Sequence, residues 1–251
     1  MSRRQSLRTG LIVGTVSAAL VIVAQLVTGA VHPAGGTHPA GSLAVDGAPG
    51  ITNQLQHAGL VDGTTINTAA VRTLLAKIPA ATAASTPTYD RDAFGPAWAD
   101  TDHNGCDQRN DVLARDLTAV TYKPGTHDCV VLAGTLHDPY TGQEISFTRG
   151  ATTSTAVQID HMVPLSWAWQ HGASTWTQQH REQLATDLSN LTAVDGPSNE
   201  SKSDQGPATW LPTASYSCTY VARFTYVVHR YDLTLDSADR TAIDRTLGTC
   251  K

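Results

Sequence analysis

No C-x-x-C pair, no H-x-x-x-H pair and no G-x-S-x-G elbow occurs in the 251 residues. The first absence removes a zinc ribbon or a dithiol redox motif from consideration. The second argues against a wall-directed metallohydrolase, which needs a shell of histidines around zinc; His127, His137, His171 and His180 do not supply one. The third leaves Ser166, which follows Pro164, without the setting of a serine nucleophile. Positive charge is also short. The formal net charge is −5, and it becomes more negative if Arg3, Arg4 and Arg8 leave with an N-terminal leader. Such a chain is not a general polyanion binder, so any nucleic-acid activity must rest on a local basic cleft and a metal. No internal repeat is visible.

The chain does have an export-like start. "MSRRQSLRTG" is basic, "LIVGTVSAALVIVAQLV" (Leu11 to Val27) is apolar, and "TGA" offers a cleavage point after Ala30. The run is slightly short for a full span and is interrupted by Gly14, Thr15 and Ser17, so a secreted product is expected over a retained anchor. Membrane attachment follows only if this segment is kept. The four cysteines then read as two disulfides. Three connectivities are open, and Cys106–Cys129 with Cys218–Cys250 is preferred because each closes a short local loop.

Three regions are expected: a leader over 1–30, a low-complexity spacer with one short helix over 31–88, and a domain over 89–251. The spacer is rich in Gly, Pro and Ala, and its helix lies in "NTAAVRTLLAKIP" (Asn67 to Pro79), with apolar residues at Val71, Leu74, Leu75 and Ile78. From Tyr89 onward the pattern predicts a helix over Asp111–Tyr122 and a β-hairpin ending in a strand at Glu144–Thr148. A further strand at "AVQID" precedes helices at "PLSWAWQHG", at Thr175–Leu188 and from Tyr220. A last helix is capped by Asp236 or Ser237. The fold class is α+β.

Chemistry concentrates where a strand runs into a helix, at "DHMVPLSWAW". Adjacent side chains on a strand point to opposite faces, so Asp160 and His161 serve different neighbours. Metal-assisted phosphodiester hydrolysis needs a base near neutral pKa, which a histidine provides, and a hard cation held by oxygen ligands. Asp160 and Asn199 suit the cation, His161 the base, and Asn190 an orienting amide.

These residues carry a resemblance. "DHMVPLSWAW", "GASTW" and "LATDLSNLTAVDGPSNESKSDQGPATWLP" together resemble the HNH (ββα-metal) endonucleases, and more closely their exported actinobacterial branch. The likeness reaches from "YDRDAFGPAWADTDHNGCDQRNDVL" to the closing cysteine. It implies a ββα-metal core embedded among additional helices and two disulfides. It also implies one divalent cation, Mg2+ or Mn2+, a DNA substrate with RNA as a second candidate, and no obligatory protein partner. The closing metal residue is Asn where many members have His. By the resemblance Asp160 and Asn199 bind metal, while His161 and Asn190 are catalytic. Lys202, three residues after Asn199, is a candidate to reach substrate phosphate, with a simply solvated side chain as the equal alternative.

Arg109 and Arg149 are candidates to reach the nucleic-acid backbone or to brace the active site, with an ordinary surface pair as the alternative. A second motif, "DTDHNGCDQRND", follows calcium-loop spacing with Asp100, Asp102, Asn104 and Asp111 as ligands. A self-bonded Asx-rich turn is the expected reading there, with a structural Ca2+ as the alternative. Most of the tryptophans are expected in the core. A calcium-stabilised binding module without activity stays open as the rival to an enzyme.

Overall fold

The computed structural model describes residues 49–82 and 86–250. The expected leader and the first part of the spacer lie outside these residues. In chain order the elements are α1 (Pro49–His57), β1 (Val61–Asp62), β2 (Thr65–Ile66), α2 (Thr68–Leu75), α3 (Gln108–Asp116), β3 (Leu117–Tyr122), β4 (Val131–His137) and β5 (Glu144–Thr148). There follow β6 (Val157–His161), α4 (Leu165–Gln170), α5 (Gln178–Thr186), β7 (Leu191–Asp195), α6 (Gly196–Lys202), α7 (Ala214–Arg230) and α8 (Ser237–Leu247). The class is mixed α+β, as expected.

Two apolar clusters organise the molecule. In the first, β3, β4 and β5 form an antiparallel sheet in that order. Leu117, Val131, Leu136 and Phe147 from this sheet meet Val112 and Leu113 of α3 and Val157, Ile159, Leu191 and Ala193 of the β6–β7 pair. The second is built mainly by α2, α4, α5, α7 and α8 around Trp167, Trp169, Tyr220 and Phe224. Both expected disulfides are present, Cys106–Cys129 and Cys218–Cys250. One ties the loop before α3 to the β3–β4 turn, and the other ties α7 to the residues after α8. Each contributes on the order of 3 kcal/mol by loop entropy.

Three sequence expectations change. The helix over Asp111–Tyr122 is instead a helix followed by a strand. Asp107 caps α3 by accepting from the Asn110 N–H, while Thr118 and Thr121 pair across β3–β4 with Thr135 and Ala133. Sheet pairing of β-branched residues overrides the helical reading there. Leu191–Asp195, for which the sequence pattern predicts no element, is a strand paired with β6 in antiparallel register, His161 opposite Leu191 and Val157 opposite Asp195. Third, residues 53–78 are not spacer-like. Leu55, Leu60, Val61, Ile66, Val71, Leu75 and Ile78 are buried in the helical cluster, and Arg240 donates to the Leu75 and Ile78 carbonyls. Of the tryptophans, Trp167 and Trp169 are buried and Trp98 is exposed. No helix among the described residues is long and apolar enough to cross a membrane.

Candidate active site

The strand pair β6–β7 runs directly into α6, and this unit positions most of the expected residues. Asp195 ends β7 and caps α6, accepting from the Ser198 N–H. Gly196 follows because a Cβ there would lie 2.1 Å from the Thr155 carbonyl oxygen; no larger residue fits that approach. Along β6, Val157 and Ile159 enter the sheet cluster, while Gln158 and Asp160 meet α6.

Asp160 is buried, 5% exposed. Its Oδ1 accepts from the Lys202 ammonium at 2.9 Å and its Oδ2 from the Tyr140 hydroxyl at 2.5 Å. Lys202 is fully buried and also donates to the His161 carbonyl oxygen at 2.9 Å. Burial pulls the Lys202 ammonium below its ordinary pKa, and the Asp160 carboxylate opposes that pull. Burial, and then the Asp160 charge, hold the Tyr140 hydroxyl well above its usual value. Lys202 therefore faces inward, and phosphate contact is not its role in this conformation. Breaking such a pair costs more than the pair contributes, because it strands a buried charge.

His161 is half-buried at the end of β6, with Nε2 2.9 Å from the Ala185 carbonyl of α5. A carbonyl only accepts, so Nε2 carries the hydrogen and Nδ1 keeps its lone pair. Burial lowers the His161 pKa to about 4, against smaller upward pulls from the Ala185 carbonyl and Asp160; Arg91 and Lys202 push it further down. The imidazole is neutral at pH 7.

Asn190 is fully buried. Its Oδ1 accepts from the Val163 N–H at 2.8 Å, its Nδ2 donates to the Val163 and Leu184 carbonyls, and its own carbonyl accepts from the Met162 N–H. It clamps the two residues after His161 to the residue before β7. Two arginines brace the same loop: Arg115 donates to the Leu188 and Leu191 carbonyls, and the buried Arg223 to those of Ser189 and Leu191. Neither was selected from sequence, where a buried arginine looks like any surface one.

Asn199 is half-buried on α6. Its Nδ2 donates to Gln158 Oε1 at 2.9 Å, and Gln158 donates in turn to Glu200. This orients the Asn199 amide, whose Oδ1 accepts no hydrogen bond among the described residues. The donor set is a carboxylate and an amide oxygen. These are donor types that a hard divalent cation takes, although the Lys202 ammonium and the Tyr140 hydroxyl already engage both Asp160 oxygens.

Arg109 donates to the Ser154 and Val157 carbonyls and lies over the Trp98 ring. Arg149 donates to the Val131 carbonyl and to Asn110 Oδ1. Both brace the sheet side of the fold. In the acidic loop the side chains do converge. Asp100 accepts from the Asn104 and Gly105 N–H groups, and the Asn104 amide donates to Asp102 and Asp111. These are the bonds of an Asx turn, although Asp111 Oδ2 is buried with no hydrogen-bond partner among the described residues.

Two other features lie apart from His161. His171, Asp236 and Asp239 bring ligand atoms within 4.8 Å of one another, yet Trp167 stacks on His171 and donates to Asp239, and Asp236 caps α8. A groove of about 530 Å³ lined by Ser146, Thr148, Thr152, Thr155 and Glu200 sits at the opposite end of β6.

The model of the C-terminal domain of the GmrSD restriction endonucleases matches residues 107–243, more than half of the chain and the whole of β6–β7–α6. The chain belongs to this family. It is also 41% identical over 165 residues to an uncharacterized secreted protein of Arthroderma benhamiae, a match covering 64% of this chain and 76% of that one. No solved structure matches it. Family membership places the chain among nuclease-type domains, and the matched span holds His161, Asp160, Asn190, Asn199 and Lys202 together.

Proposed function

We propose that the protein is a secreted, metal-dependent endonuclease of the HNH type that hydrolyses phosphodiester bonds of DNA, with RNA as a second candidate substrate. The observation that carries this reading is His161: a neutral imidazole, its Nε2 occupied by the Ala185 carbonyl and its Nδ1 free to take a proton. Supporting it are the antiparallel strand pair leading into a helix, the clamp made by Asn190, and the family's nuclease character. The secreted relative and the two disulfides support export.

In this reading Nδ1 of His161 removes a proton from water as its oxygen bonds to phosphorus. The bond to the 3′ oxygen breaks, that oxygen takes a proton from solvent, and a 5′-phosphate end results. Asp160 and Asn199 would hold one cation, Mg2+ or Mn2+, which would supply electrostatic stabilisation of the charge developing on the phosphate and leaving oxygen. Lys202 and Tyr140 fix the Asp160 carboxylate. The acidic loop of Asp100, Asp102, Asn104 and Asp111 takes no part in the reaction.

The test is nicking of supercoiled plasmid with Mg2+ or Mn2+, with EDTA, and with His161→Ala. Wild-type protein should nick only with metal, and the variant should lose about 100-fold or more while melting normally. Wild-type protein that binds calcium but never nicks would favour the inactive binding module. Nicking that survives EDTA, or that His161→Ala leaves intact, would remove the mechanism.

A further inference from the structure

Most arginines of the domain serve the fold. Arg109, Arg115, Arg149, Arg181, Arg223 and Arg240 all donate to main-chain carbonyls. Arg91 is different. It is exposed, it makes no ion pair among the described residues, and one of its N–H groups meets the Gly95 carbonyl at 3.2 Å. The rest of its five-donor fork is available.

Its position is built. Residues 92–94 form a single 3₁₀ turn that packs on α5, the helix whose Ala185 carbonyl holds His161. Arg181 of α5 donates to the Ala93 carbonyl, fastening the turn. Gly95 has φ +76°, and a Cβ there would lie 2.4 Å from Glu182 of α5, so the turn sits directly on that helix. On the other side the Tyr89 ring packs edge-on against Trp169 of α4, 6.0 Å between centroids. The strap from Tyr89 to Gly95 thus crosses α4 and α5, which lead away from and back to the His161 loop. Arg91 stands on this strap, at the turn that Arg181 fastens to α5.

We propose that Arg91 is a phosphate-binding residue of this site: its guanidinium, propped by the Gly95 carbonyl beside α5, contacts a backbone phosphate of the nucleic acid presented to His161. The inference rests on the nuclease reading of the site. It answers a problem that reading leaves, because Lys202, Arg109 and Arg149 are turned to the fold and the chain is acidic overall. A planar fork suits a phosphate better than an ammonium does.

The test uses two readouts on the full chain. Arg91→Ala should lower kcat/KM for plasmid or a short duplex about tenfold to hundredfold, with Arg91→Lys recovering part of it. In a His161→Ala background, anisotropy with a labelled duplex across a salt series should show the log–log slope falling by about one when Arg91→Ala is added. A merely structural arginine would leave that slope alone. An unchanged slope overturns the inference whether or not wild type cleaves. So does kcat/KM within twofold of wild type. A slope that falls in a protein that never cleaves supports the Arg91 contact and sinks the nuclease reading instead.

Discussion

His161 has one nitrogen committed to a main-chain carbonyl and the other left unprotonated at pH 7, with a basicity that burial lowers. That commitment has a stability consequence separate from catalysis. Its folded pKa, about 4, lies below its ordinary 6.5, so between those values the unfolded chain binds a proton that the folded one refuses. Stability from this group is therefore complete above pH 6.5 and is lost as pH falls towards 4. The full effect is on the order of 3 kcal/mol. Urea unfolding of metal-free protein from pH 7.5 to pH 4.5 should show wild type losing more stability than His161→Gln. Parallel pH dependence in the two would mean the folded imidazole titrates normally, and the neutral base would go with it.

At the scale of elements, Asn190 ties the loop after β6 to the start of β7. Its amide makes both a donor and an acceptor contact inside a fully buried site. Asn190→Ala strands the Val163 N–H and costs about 1–3 kcal/mol. As a positioning residue it should lower kcat with little change in KM, since the loop carrying His161 loosens while the substrate surface stays. A KM effect alone would show that Asn190 acts on binding. The same unit shows what was legible in sequence. The Asp160–His161 junction, the strand before it and both disulfides could be read from residue type and spacing. The strand β7 could not, because "LTAVD" is five residues between Asn190 and the Gly196–Pro197 start of α6, and only its partner β6 makes it a strand. Lys202 was legible as a lysine three residues after Asn199. That it points inward to Asp160 depends on how α6 sits across β6, which is tertiary information. Arg91 lies in the stretch "YDRDAFG", which by itself gives the arginine no role; only the packing of its strap on α5 sets it apart.

For the molecule as a whole, the region ahead of the family match matters to the fold that carries the site. Seven apolar residues between Leu55 and Ile78 are buried in the helical cluster. Ala80 bridges to Leu235, and Arg72 pairs with Asp244 of α8 at 2.7 Å. The exposed ion pair adds little, but each buried side chain contributes about 1.5–3 kcal/mol. Together they rival the roughly 5–15 kcal/mol by which such domains are stable. A chain begun at Tyr89 keeps every expected catalytic and metal-binding residue yet bares the α2 side of α7 and α8. It should bind a hydrophobic dye and melt without cooperativity, whereas one begun at Pro49 should melt sharply; calorimetry and dye fluorescence on the two compare them directly. Equal, cooperative melting of both would mean that residues 49–88 are a passenger, and that the helical cluster closes without them.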